Sequence, residues 1–275
     1  MKCIKLLLSA VLLTALLSLT AQAHKRWLLP SNFSVSEHQW ITVDASVSNN
    51  LFYPDRRWPL EGIKVINPQG KEQGIENALE GKRRSVFDVN LNQDGTYKIG
   101  VKGDMYFASY PNLDYKEGER KNIRIRAWSL EDLDKKVPSD VKDVKFARSI
   151  NRLETYVTVG EPTNEVFSIE KSGLEFSPVT HPNDLYQGEK ATLQFLVDGE
   201  PTEGVDVVIV WDGTRYRDQE NELTLTTDEK GQVNFDLNQA GRFLVEASYE
   251  KDTSEQPKFK QTYLGYLATF EVLPL

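Results

Sequence analysis

The sequence predicts an all-β protein built as two tandem immunoglobulin-like β-sandwich domains with a short helical segment between them. Three observations predict it. Apolar and polar residues alternate with period two in short runs, turn residues punctuate those runs, and one block of sequence recurs in weaker form.

Taken in order, the chain opens on a leader. Lys2 and Lys5 precede an apolar run over residues 6–19, and Ala21-Gln22-Ala23 supplies the small-x-small pattern that a signal peptidase cuts after. The run is shorter than the roughly 20 residues needed to span a bilayer. A cleaved signal peptide over residues 1–23 is therefore expected, with a periplasmic product whose first residue is His24. Nothing later in the sequence resembles a membrane span.

Strand-like alternation then appears over residues 40–47, 85–89 and 97–101 in the first half, and over 191–197, 205–211, 222–226, 233–237, 243–249 and 263–272 in the second. Asn67-Pro68-Gln69-Gly70, Asn92-Gln93-Asp94-Gly95 and Asp228-Glu229-Lys230-Gly231 are turn signals between them. Residues 90–99 align with 236–245: a strand ends, a glycine-containing turn follows, and an aromatic (Tyr97 or Phe243) begins the next strand. Upstream, Glu61-Gly62-Ile63-Lys64-Val65 matches Glu203-Gly204-Val205-Asp206-Val207 at nearly the same offset. Two related sandwiches produce such a pattern, as does chance similarity between common hairpins. Ser129 reads as a helix N-cap with Asp132 at the third helical position, and Pro138 stops whatever begins there. Residues 160–165 read as a linker. The expected domains are 24–168 and 169–275.

Composition narrows function by exclusion. Cys3 is the only cysteine and lies in the leader, so the processed chain has no disulfide, thiolate metal site or cysteine nucleophile. The chain carries 33 basic and 41 acidic residues, a net charge of −8. Removing the leader takes away two lysines and no acid, leaving −10. Such a surface repels nucleic acid and anionic lipid. No nucleophile elbow, zinc-protease pair or phosphate-cradling loop is present. A non-catalytic protein is expected.

His24 is the most informative position. Once exposed as the first residue, it offers an α-amine and an imidazole, two nitrogen donors on one residue, to a divalent metal. A second histidine makes a three-nitrogen site suited to copper(II) or nickel(II), and His38 and His181 are the remaining histidines of the sequence. The plainer readings are a polar terminus for His24, a solvated loop residue for His38 and a turn residue ahead of Pro182 for His181. Trp27, Trp40 and Trp58 are expected in the core, with an exposed aromatic platform as the alternative. The loop over residues 49–58 mixes amide, aromatic and arginine groups. Lys82-Arg83-Arg84 reads as a solvated turn.

His24-Lys25-Arg26-Trp27-Leu28-Leu29-Pro30-Ser31 resembles the Ala-His-x-x-Trp-Leu-x-Pro opening of the exported "domain of unknown function 4198" family. Residues 43–49 with 51–53, 85–88 with 95–97, 154–158 with 160–163, 195–201 and 227–231 are similar to its later blocks, so the resemblance covers nearly the whole processed chain. It implies a periplasmic accessory role, since some members accompany nickel or cobalt uptake and others stand beside outer-membrane receptors for metal chelates. Of the family's features only His24 carries over as a ligand, and the histidine-rich stretches common in nickel-handling proteins are absent. The expected function is a periplasmic accessory protein that binds nickel, cobalt or copper, or a metal chelate, at His24 with His38 and His181. Its partner would be a membrane metal transporter or outer-membrane receptor. The alternatives are an adhesion or scaffold module without metal, and a histidine-brace copper oxidase.

Overall fold

The computed structural model describes residues 24–253 and 258–275. The predicted leader, with Cys3, lies outside the described residues. In chain order the first half carries β1 (Lys25–Pro30), β2 (Ser34–Val35), β3 (Gln39–Ser48), β4 (Arg56–Arg57), β5 (Lys64–Ile66), β6 (Glu72–Gln73), β7 (Glu76–Glu80) and β8 (Ser85–Leu91). The long β9 (Gly95–Pro111) follows, then β10 (Asn122–Ala127), helix α1 (Leu130–Lys136) and β11 (Lys145–Val159). The second half carries β12 (Leu174–Pro178), β13 (Lys190–Val197), β14 (Glu200–Pro201), β15 (Asp206–Trp211), β16 (Leu223–Thr226), β17 (Gln232–Asp236), β18 (Gly241–Asp252) and β19 (Gln261–Val272).

The protein is all-β, as its alternation predicts, and the strands form sandwiches. An outer sheet of order β1-β3-β8-β7, with β4 on β3, covers the first half. A second outer sheet of order β12-β13-β14, with β17 on β13, covers the other. Both rest on one ten-stranded sheet of order β16-β15-β18-β19-β11-β9-β5-β6, with β10 on β9 and β2 on β11. Period-two alternation decides which side chains enter each core. In β3, Ile41, Val43 and Ala45 point inward, so Trp40 is forced out and stands 49% exposed, against the expectation of a core tryptophan.

The two halves repeat one another strand for strand. The β1·β3, β3·β8, β5·β9 and β9·β11 pairings of the first half recur as β12·β13, β13·β17, β15·β18 and β18·β19, all antiparallel. The repeat detected in the sequence marks equivalent corners rather than hairpins. At Gly95 the chain leaves an outer sheet for the shared sheet, and at Gly241 it does so again, with φ of +112° and +122° that side-chain-bearing residues rarely adopt. Tyr97 and Phe243, two residues later, are each fully buried in their own core.

Between the halves runs a parallel seam, β11 against β19, from Arg148↔Thr262 to Thr155↔Thr269. Equivalent strands that pair in parallel are related by a rotation about the strand direction, which turns the sheet over. The outer sheets therefore cover opposite faces. Leu153 and Leu267, paired across the seam, enter the first core, while Tyr156, Tyr266 and Ala268 enter the second. The expected boundary near residue 168 thus falls between halves that share one sheet. The helix sits within the first half: Ser129 Oγ accepts from Asp132 N (3.1 Å), and Leu133 packs on Ala108 and Ala127 of β9 and β10.

Candidate functional site

His24 immediately precedes β1, whose register runs from Lys25↔Ser48 to Pro30↔Val43. This puts His24 at the Ser48 end of β3. Its exposed imidazole meets the following loop, with Nδ1 and Asn49 Oδ1 2.5 Å apart. Nε2 makes no hydrogen bond among the described residues. The next residues anchor this end. Lys25, 5% exposed, pairs with Glu220 at 2.6 Å, and Trp27 is fully buried against Leu51, Val210 and Leu244, its Nε1 donating to Asp44 (3.0 Å). The first strand is thereby clamped over the second half's side of the shared sheet. Tyr53 and Tyr216 meet edge-to-face at 6.2 Å and Arg215 lies over Tyr53, so the loop flagged over residues 49–58 forms an aromatic corner with the Thr214–Tyr216 turn.

His38 immediately precedes Gln39, at the opposite end of β3, so it stands about 30 Å from His24 at roughly 3.4 Å per strand residue. It is solvated, and its Nε2 meets Asp94 Oδ1 at 2.9 Å. His181 lies at that same far end, held by Thr96. Its Nε2 is 3.1 Å from both Thr96 Oγ1 and the Thr163 carbonyl, and its Nδ1 accepts from the Asn183 amide (3.1 Å). With Nδ1 accepting, the proton sits on Nε2 and the ring is neutral. Burial lowers its pKa below the usual histidine value, the Thr163 carbonyl only partly opposing this.

The three histidines predicted to cooperate are therefore not gathered into one site. Among the described residues no three histidine, cysteine or carboxylate side chains are grouped to hold a metal ion. His181 belongs instead to a polar knot that the sequence reading missed. Asn183 Nδ2 donates to the carbonyls of Phe33 (3.0 Å) and Tyr156 (3.1 Å), and its Oδ1 accepts from Thr158 (3.0 Å). Nothing in a lone asparagine signals that role. Of the predicted aromatics, Trp58 packs half-buried under the Arg26 guanidinium, 5.6 Å from its ring centre. Arg83 and Arg84 of the basic turn reach Asp55 and Asp44 at 2.9 and 3.3 Å.

A second charged cluster is buried in the shared sheet. Arg152, 4% exposed, donates through both Nη atoms to Glu170 (3.0 Å each) and to the Ser172 carbonyl, with Glu175 at 3.5 Å. The Arg152 hydrogen bond holds the Glu170 carboxyl at a pKa of about 2, although burial opposes it. Every carboxylate here is tied to an arginine, a lysine, a tyrosine or a backbone amide. That pattern is structural.

These features define a β-sandwich protein whose halves share a central sheet. The chain belongs to the family described as a domain of unknown function (DUF4198), whose model matches residues 21–251. No curated protein matches the sequence. Among solved structures, trypsin-activated α2-macroglobulin from Escherichia coli is 12% identical with a TM-score of 0.21, over 90% of this chain and 23% of that one. The D0–D1 domain of intimin is 10% identical with a TM-score of 0.21, over 88% and 96% of the two chains. The titin I-band fragment I67–I69 is 7% identical with a TM-score of 0.19, over 92% of this chain and 65% of the other. At these scores none bears on fold or function. Among the described residues no helix is long and apolar enough to cross a membrane.

Proposed function

We propose that the chain is an exported, non-catalytic accessory protein of the periplasm that binds a divalent transition metal (nickel, cobalt or copper) or its chelate at His24. It would pass this cargo to a membrane transporter or outer-membrane receptor. One observation carries the reading. The His24 imidazole is exposed immediately before a clamped strand and meets a single side-chain oxygen, Asn49 Oδ1. After cleavage at Ala23, the α-amine and Nδ1 of one residue close a chelate ring around a metal that replaces the shared proton, with Asn49 Oδ1 beside it as a third donor. A histidine brace needs a second imidazole at this end, and His38 and His181 both lie at the other.

The test is calorimetry on protein processed to begin at His24, with copper(II), nickel(II), cobalt(II) and zinc(II). Saturable binding at micromolar affinity or tighter is expected, lost in His24→Ala and weakened when a methionine precedes His24. Absence of saturable binding removes the metal reading. The separation of the histidines favours the second reading, a scaffold or adhesion module, which predicts that absence.

A further inference from the structure

A mostly apolar opening of the first half lies on the side of the shared sheet that its outer sheet leaves partly uncovered. It is a cleft of about 530 Å³ whose floor is Val101 and Met105 of β9 with Leu267 of β19, and whose walls include the indoles of Trp58 and Trp128. Trp128 is 69% exposed although it sits beside a packed helix, and Trp58 is only half-buried. Volumes of about 300–1,000 Å³, mostly apolar with a few polar groups, are those of small-molecule sites.

Arg26 supplies the polar group. Its guanidinium lies over Trp58 in the cleft wall and donates no hydrogen bond among the described residues. Glu246 of β18 acts on it only through space, with no hydrogen bond between the two. An arginine presents five N–H donors in a planar fork matched to a carboxylate, and those of Arg26 are open to a ligand entering the cleft. Glu61, the carboxylate at the rim, is exposed and screened by solvent. Arg152 and Lys102 also line the cleft, but both Nη atoms of Arg152 and the Lys102 amine are already held by Glu170, which leaves Arg26 as the cation there without a carboxylate hydrogen bond among the described residues.

We propose that this cleft binds a small amphipathic carboxylate, its flat apolar body lying against Trp58, Trp128 and Met105 and its carboxylate accepting a bidentate pair of hydrogen bonds from Arg26. The site is independent of His24 and of any metal.

The experiment titrates the processed chain, in the presence of a chelator, with naphthalene-2-carboxylate and with the neutral naphthalene-2-carboxamide, read by calorimetry. One-to-one saturable binding of the carboxylate is expected, at least tenfold tighter than the amide. Arg26→Gln should weaken the carboxylate tenfold or more and bring the two probes level, while Arg26→Lys retains part of the preference. Should Arg26→Gln not fold, Gly103→Leu decides. Gly103 lines the cleft, and a Cβ there meets no atom within 4 Å, so a leucine starts in open space and extends into the cleft. It should abolish binding with an unchanged circular dichroism spectrum. No saturable binding, equal affinity for carboxylate and amide, or undiminished binding in folded Gly103→Leu each overturns the proposal.

Discussion

The two halves share a strand plan and differ in where they place their aromatic residues. In the second half, Phe176, Phe195, Phe235, Phe243, Tyr266 and Phe270 all lie inside the core, with Tyr156 contributed across the seam. The corresponding core of the first half buries Phe87 and Tyr97 among aliphatic residues, while Trp40, Trp58 and Trp128 stand at or near the surface. The same topology thus serves one half as a packed anchor and the other as a surface bearing a cleft and an exposed His24. Topology sets which positions face inward; it does not set what the outward positions are used for.

The largest test of this contrast is Phe270→Ala. Phe270 meets Phe176, Phe243 and Tyr156 at centroid distances of 5.6, 5.5 and 6.2 Å. Truncation should cost about 3–5 kcal/mol. Because β11 and β19 are paired, denaturant titration should still show one transition for the whole chain. A first half that persists after the second has melted would show the halves to be energetically separate.

The corners give a smaller and sharper comparison. Gly95→Ala and Gly241→Ala both force a side chain into positive φ, at about 1–3 kcal/mol. A Cβ at Gly95 also comes within 2.9 Å of Pro68 Cβ and 2.8 Å of Thr163 Oγ1, whereas one at Gly241 meets nothing within 4 Å. Gly95→Ala should therefore be the more destabilising by about 1 kcal/mol or more, since overpacking adds to strain. Equal denaturation midpoints for the two variants would break the comparison.

Acid probes the knot between the halves. The folded pKa of His181 lies below its unfolded value near 6.5, so its contribution is fully present above that pH and is lost as pH falls towards the folded pKa. The melting temperature should drop between pH 7.5 and 5, and His181→Gln should remove part of that slope. The smallest effect belongs to His24→Ala. An exposed residue with a single side-chain partner should change unfolding free energy by no more than about 0.5 kcal/mol, by chemical denaturation, whatever it does to metal affinity.

Most of the strand plan was legible in the sequence because half-buried strands betray themselves by alternation. β3, β8, β13, β15, β17, β18 and β19 lie where period two places them. β11 escaped because its second half is buried on both faces and because it carries Asn151, Arg152 and Glu154, the charge of Arg152 being balanced by Glu170 and Glu175 from beyond the strand. The long outer portion of β9 escaped because α1 covers it, which no local pattern announces. Of the site, His24 was visible as a position. The distance to His38 and His181 was not, since it depends on the register of β1 against β3. Arg26 stood unremarked within the family's opening motif, because a missing hydrogen-bond partner is a property of three dimensions alone.

The parallel join of β11 to β19 has a bearing on how this molecule can be cut. A fragment ending near residue 168 would carry β11 as a raw margin, eight residues of its backbone amides and carbonyls stripped of the neighbour that now receives them. Such a fragment invites self-association through that margin, so dissection for crystallography or display should keep residues 24–275 together.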